Sequence, residues 1–589
     1  QNSGNPQGAA ALMNKIVKPY WEDYVLSGRH SLMLSGLGTH LKNVRDNLNM
    51  IGREYIEAAV TIPFRGVSKE EMAGRTYGLL RAALDSTTYK DTYNAFKDGT
   101  ANTMLNTKTE LESARIPILS KVGDALNAED TFFRRFMETS NLYAVGVREA
   151  RKQGFTGRQL FDQGSHLAQN PTEEMLKAAR SMADVSLLVS EPSKLAKAIE
   201  TSKARKIDMT SGERTARFIA HLAFPFLRTT ENLLFQQLRR SPLSFMDRVT
   251  REDFMAGGER RSIAVSRTLM GSTIMGYYIY AAKDGEVTGG EKDYKKVAAL
   301  EPGGYKPNAV VKPDKYVDAT ALNTSFPNPF GLDNATAANV ATLVNTYDGM
   351  IKAGEGKGVA FAATVKSFVK VIGAASFAQN MQPYTDVLSE KKDDTTKSAA
   401  AVGGLASQFV PALGRQLNNA LVDTKKRDYS GDGSFGDRVS GRIQSGIPGL
   451  SDNFPLKYDV YGQEIDKGAN VTGIDASKAR PTDATVKEMQ RVEATIDKPV
   501  ITAAPKSITV EGMKAKLSGE DYALFQKTVG ENLRSTMAEV IHEPGYKRLS
   551  DKDKREILRE VQTEARKAAK ETIIERLKIE DFKDPDEDK

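Results

Sequence analysis

The side chains best suited to chemistry in this chain stand apart from one another. Its five histidines, His30, His40, His166, His221 and His542, lack the i, i+4 spacing and the adjoining carboxylates of a zinc site, so each reads as structural or exposed. Asp428, Ser430, Asp432 and Gly433 begin like a calcium loop. The twelfth position, however, is Val439 where a bidentate carboxylate belongs, and a turn is expected there instead. Glu112 followed by Ser113 has the order of a glycan-cleaving general acid, but the surrounding TELESARIP is followed by no glycine-rich, aromatic saccharide cleft. No G-x-x-x-x-G-K-[ST] phosphate loop occurs, and the glycine pairs do not follow a strand and open a helix as a dinucleotide site requires. Cysteine is absent, which removes thiolate nucleophiles, disulfides and Cys-based zinc sites. These residues lead to the expectation of no enzyme activity, no metal and no cofactor.

Cations are the other candidate. Lys and Arg total 83 against 76 Asp and Glu, a net charge of +7 that is modest for 589 residues. Their distribution says more than their sum. Lys203, Arg205, Lys206, Arg214, Arg217, Arg228, Arg239, Arg240, Arg248, Arg251, Arg260, Arg261 and Arg267 crowd one region. Such a belt is suited to phosphate, on DNA or on lipid, with Arg228, Arg239, Arg240, Arg260 and Arg261 as candidate contacts. Acids among them, Glu213, Glu231, Asp247, Glu252, Asp253 and Glu259, leave open the reading of ordinary solvated helix faces.

The elements that would position these groups are helices. Leu34, Leu37, Leu41, Val44, Leu48, Ile51, Tyr55, Ala58 and Ile62 recur in steps of three and four, a coiled-coil-like stripe ended by Pro63. The stripe needs a partner, either another helix of this chain or a second copy, and Leu34, Leu37, Leu41, Val44, Leu48, Ile51 and Tyr55 are the candidate assembly seam. A second amphipathic helix spans 358–380, where Lys366 and Lys370 sit one turn apart beside Phe361 and Phe368. It is suited to packing on a neighbour, lying on a bilayer or lining a channel. No run of about 20 apolar residues is found, and the uncharged TLMGSTIMGYYIYAA before Lys283 reads as a buried core helix.

Helix starts are marked by Ser68 with Glu71, Asn170-Pro171 with Glu173, Thr210 with Glu213, Thr250 with Asp253, Ser518 with Asp521, and Ser550 with Asp553. Prolines and Gly-Gly pairs break the pattern between 284 and 332, where residues 315–323 are suited to a short strand within an extended arm that Phe326 and Phe330 would anchor. The expected fold is mainly α, an elongated multi-helix bundle with extended Pro/Gly-rich arms. Its parts are a lead segment 1–29, a helical domain with the basic belt 30–283, an arm 284–333, a second helical region 334–430, an extended linker or arm 431–515, and a C-terminal helical hairpin 516–589. The start at Gln1, QNSGNPQG, has no basic stretch followed by an apolar run, so no secretory signal is read there, and the absence of Met suggests a cleaved or fragmentary product.

Three stretches carry a resemblance. FIAHLAFPFLRTTENLLFQQLRRSPLSFMDR at 218–248, broken at Pro225 and stopped by Ser241-Pro242, PNPFGL at 327–332, and FPLKYDVYGQEI at 454–465 resemble the module at the ends of very large polyvalent and internal virion proteins of bacteriophages. The resemblance implies a protein carried inside the capsid that enters the cell with the DNA. Implied partners are copies of itself, the portal, other internal virion proteins, double-stranded DNA and the host inner-membrane surface. The implied place is the virion interior, then the host envelope or cytoplasm. A capsid-core scaffold that never leaves the particle, or part of a larger envelope-degrading protein, is the alternative.

Overall fold

The computed structural model describes residues 20–64, 67–98, 117–187, 194–203, 209–223, 227–290, 297, 305–312, 316–318, 334–373, 411–429, 435–466, 483–494, 500–510, 513–577 and 582–583. Among them the chain is mainly helical, with a few short strands. It divides into two compact units, one of Gln1–Tyr280, Ser325–Thr336 and Lys357–Tyr384, the other of Ala281–Thr324, Ala337–Gly356 and Thr385–Lys589.

In the first unit the helices are α1 Trp21–Leu34, α2 Leu37–Val60, α3 Lys69–Leu84, α4 Ser86–Asp98, α5 Pro117–Lys152, α6 Gly157–Gln169, α7 Glu173–Ser186, α8 Lys194–Lys203, α9 Ser211–Ala223, α10 Leu227–Arg239, α11 Arg248–Ala256 and most of α12 Gly258–Lys283. The 36-residue α5 is the axis, and α3, α4, α6 and α7 pack along it. Its buried positions are Phe133, Met137, Tyr143, Ala144, Val147 and Ala150, spaced so that more than one face is covered. The interface also holds charge: Arg148 reaches Glu71 at 2.5 Å, and Arg75 donates to Asn141 at 2.9 Å, so Glu71 and Arg75 of α3 each bond to a side chain of α5.

Several caps stand where the sequence marks them. Ser68, Ser518 and Ser550 each accept the amide three residues on, and Thr210 forms a reciprocal box with Glu213. Two shift. Thr172, two residues after Asn170, caps α7 by accepting from the Met175 amide, and Asp247, three residues before Thr250, caps α11 by accepting from the Thr250 amide. The segment before Lys283 is half-buried rather than a core helix: Ile274, Tyr278 and Ala281 face inward, while Leu269, Ile279 and Tyr280 are exposed.

The second unit contains most of α13 Asn334–Lys352, the antiparallel hairpin β1 Ala309–Val311 with β2 Tyr316–Asp318, and α15 Ala412–Leu417; the intervening α14 Lys357–Gly373 belongs to the first unit. It continues with α16 Phe435–Gln444, α17 Ala484–Ala494, β3 Ser507–Val510, β4 Met513–Lys516, α18 Gly519–Val540, α19 Pro544–Lys547, α20 Asp551–Ile574 and β5 Phe582–Lys583. The strand expected within 315–323 is β2. Where the linker 431–515 reads as extended, α16 and α17 are helical. Asp483 caps α17 by accepting from Thr485 at 2.8 Å, and Val486, Met489 and Val492 are buried with Leu533, Met537 and Leu558 of α18 and α20. Tertiary burial therefore stabilises a helix whose local propensity is unremarked. Strands β3, β4 and β5 form an antiparallel sheet, and Ile508 and Ala515 pack with Phe525, Val529, Ala569 and Ile573.

The FPLKYDVYGQEI stretch is a tight hairpin in this unit. Asp459 accepts from the amides of Tyr461 and Gln463, both at 2.9 Å, and Tyr461 is fully buried. Gly462 takes a φ of +74°, and its backbone meets Gly530 of α18 so closely that a Cβ on either would overlap the other chain segment. The 284–333 arm lies largely outside the described residues, as do Glu112, Ser113, Phe326, Phe330 and the PNPFGL stretch.

Candidate functional site

The basic belt resolves into buried and exposed members. Arg240 is 6% exposed, and its guanidinium makes a two-pronged pair with Glu57, itself 3% exposed: Nε to Oε1, and NH2 to Oε2 at 2.9 Å. Arg267 of α12 adds Nε to Oε2 at 3.0 Å, Gln236 accepts from Arg240, and Ser266 donates to the Glu57 carbonyl at 2.9 Å. Burial pushes the Glu57 carboxyl up, but the Arg240 and Arg267 guanidiniums more than reverse that, and it stays below its ordinary value. Gly271 is required at this knot, since a Cβ there would overlap the Arg240 carbonyl.

Arg239 is tied as well. Its Nε donates to Asp247 at 2.9 Å, and Asp247 also accepts from Thr250. Ser241 then donates to Leu238 and accepts from Leu243, which makes Arg239-Arg240-Ser241-Pro242 the corner joining α10 to α11. The expectation that Arg239 and Arg240 present free cations to phosphate is corrected: both guanidiniums hold the helices together, because a buried charge needs a fixed counter-ion. Lys203 and Arg217 are buried too.

Exposed members of the belt are Arg248, Arg251, Arg260 and Arg261, around α11 and the start of α12. Arg260 pairs with Asp253, and Arg261 donates to the Phe254 carbonyl at 2.8 Å, bracing the turn at Gly257 and Gly258. Glu252 and Asp253 lie among these arginines. The side chain of Arg228 is outside the described residues.

The leucine stripe of α2 gives the clearest surprise. Its inward face is a different one, His40, Asn43, Asn47, Met50, Glu54 and Glu57, which also recurs in steps of three and four. His40 and Asn43 both bond Glu129 of α5 at 2.8 Å, and Glu57 enters the arginine knot. Leu37 and Leu48 are consequently 44% and 56% exposed and Leu41, Val44 and Ile51 are half-buried, while the expected stripe is broken at Gly36, so that half-buried Leu34 ends α1 and does not lie on α2. At the far end Tyr55 packs with Ala58, Val67 and Met72.

Helix α14 packs with α10 and buries Ala360, but Phe361 is 61% exposed. The side chains of Lys366, Phe368 and Lys370 are outside the described residues. Among the described residues no helix is long and apolar enough to cross a membrane, and no group of three or more histidines and carboxylates is arranged to hold a metal ion. Compared with known proteins, the chain matches no family model, no curated protein and no solved structure.

Proposed function

We propose that this chain is a virion-internal bacteriophage protein that assembles near the portal, with copies of itself and other internal virion proteins, and helps carry double-stranded DNA or companion proteins across the host envelope. The observation that supports it best is the outward stripe of α2. A helix that turns His40, Asn43, Asn47 and Glu57 inward and leaves Leu37 and Leu48 in water has its more apolar side available to a neighbour. Exposed Arg248, Arg251, Arg260 and Arg261 add cations that suit a polyanion. The stretches that resemble polyvalent phage proteins supply the virion context.

The assembly step is tested by sedimentation velocity of the wild-type chain against the Leu37→Glu, Leu48→Glu double variant. Each leucine contributes about 1.5–3 kcal/mol when fully buried, so the variant loses self-association by at least about 100-fold while keeping its helical signal. Unchanged sedimentation removes the stripe as the seam. Averaged density of intact particles would then show whether copies form a ring above the portal, and labelled protein retained in emptied particles would favour the capsid-core scaffold over ejection.

A further inference from the structure

Helices α1, α8 and α9 enclose a set of ionisable side chains that the assembly reading does not use. His221 is 4% exposed, and its Nε2 lies 3.3 Å from the carbonyl oxygen of Lys203, so that nitrogen carries the proton and donates. Arg217, one turn earlier on α9, donates from Nε to the same carbonyl at 2.7 Å and from NH1 to Asp23 of α1 at 2.5 Å. Arg29 donates to the His221 carbonyl at 3.4 Å, and His30 follows it on α1. Lys203 at the end of α8 is buried with them.

The cations facing the two imidazoles among the described residues are Arg29 from α1, Lys203 from α8 and Arg217 from α9; the buried carboxylates of the same cluster are Asp23, paired with Arg217, and Glu22, 3.9 Å from the half-buried Arg214. Asp23 is committed twice, to Arg217 and to the Tyr20 amide at 2.9 Å. A proton added to His221 thus places a new cation beside buried Arg217 and Lys203, and one added to the half-buried His30 places it beside Arg29 and Lys203, while Asp23 is already held by Arg217.

We propose that His30 and His221 form an acid-released latch: protonation of these imidazoles, packed among Arg29, Lys203 and Arg217, parts α8 and α9 from α1 while the helices around α5 stay packed. Burial first, then Arg29 and Lys203, lower His30 to about 4; burial first, then Arg217 and Lys203, lower His221 to about 3. Both values lie below that of a free imidazole, so the open state binds protons more readily than the closed one. The latch is at full strength above about pH 6.5 and weakens as pH falls toward the closed-state values. Between about pH 7.5 and about pH 5, an open-state value of about 6.5 gives a rise in the opening equilibrium of about 30-fold per histidine, or about 900-fold for both.

Hydrogen exchange of the full chain at those two pH values, corrected for intrinsic exchange, reads this opening helix by helix. Peptides from α8 and α9 should gain about 900-fold in opening while those from α3 and α5 do not, and His221→Gln or His30→Gln should each remove about 30-fold of the gain. Opening of α5 together with α8 and α9, or an undiminished response in both variants, overturns the latch. Imidazole NMR titration of the wild-type chain gives an arm independent of the variants: midpoints well below 6.5 for His30 and His221 support the proposal, and ordinary midpoints for both refute it.

Discussion

Replacing Glu57 with Gln tests the knot that joins α2, α10 and α12. The substitution keeps the shape of the side chain and removes its charge. Arg240 then loses its anion and Arg267 keeps only the longer contact to Glu54 at 3.9 Å, and the new amide NH2 points donors at donors, because Oε1 and Oε2 both accept in the wild type. Removing one partner of a buried pair typically costs about 3–5 kcal/mol. For a unit of this size each 1 kcal/mol lowers Tm by about 2–4 °C, so a fall of about 10 °C is expected in a circular-dichroism melt near neutral pH. Arg240→Met leaves Glu57 held by Arg267 and should cost less, about 1–3 kcal/mol. The double variant should be milder than the sum of the two by about 1–3 kcal/mol, since each single change already breaks the shared contact. The carboxyl is held below its ordinary value, so its contribution is present above the carboxylate range and is lost as pH falls through it. A Glu57→Gln melt within about 2 °C of wild type, or strictly additive single and double variants, would refute the assignment.

Other outcomes follow from the same geometry. Gly530→Ala should destabilise the second unit by about 1–3 kcal/mol or more, because the added methyl overlaps the Gly462 backbone, and a denaturant titration would show it; a neutral result means the hairpin does not seat on α18 as described. If the exposed cations contact DNA, Arg260→Ala with Arg261→Ala should weaken binding across sequences and lower the salt slope by up to about 2, read by fluorescence anisotropy against salt concentration. Wild-type affinity and slope in that variant would exclude those two arginines.

Local chemistry made part of this structure legible. Ser68, Ser518 and Ser550 cap helices because the hydroxyl and the acceptor geometry lie within one turn, and the hairpin partner β2 follows from a β-rich stretch between breakers. The helical class itself could be read from period and composition, as few residues in the first 283 interrupt steps of three and four.

What α2 buries was not decided by its own residues. Two stripes on it recur at the same helical spacing, one of leucines and one of His40, Asn43, Asn47, Met50, Glu54 and Glu57, and hydrophobicity alone selects the first. Tertiary structure selects the second, since Glu129 satisfies His40 and Asn43 and Arg240, 183 residues away along the chain, neutralises Glu57. In the sequence Arg239-Arg240 is a surface-like dibasic pair, and only folding supplies the carboxylates that turn it inward. The period of a helix is local and therefore readable; the counter-ion of a buried charge is remote, and its position exists only once the chain has packed.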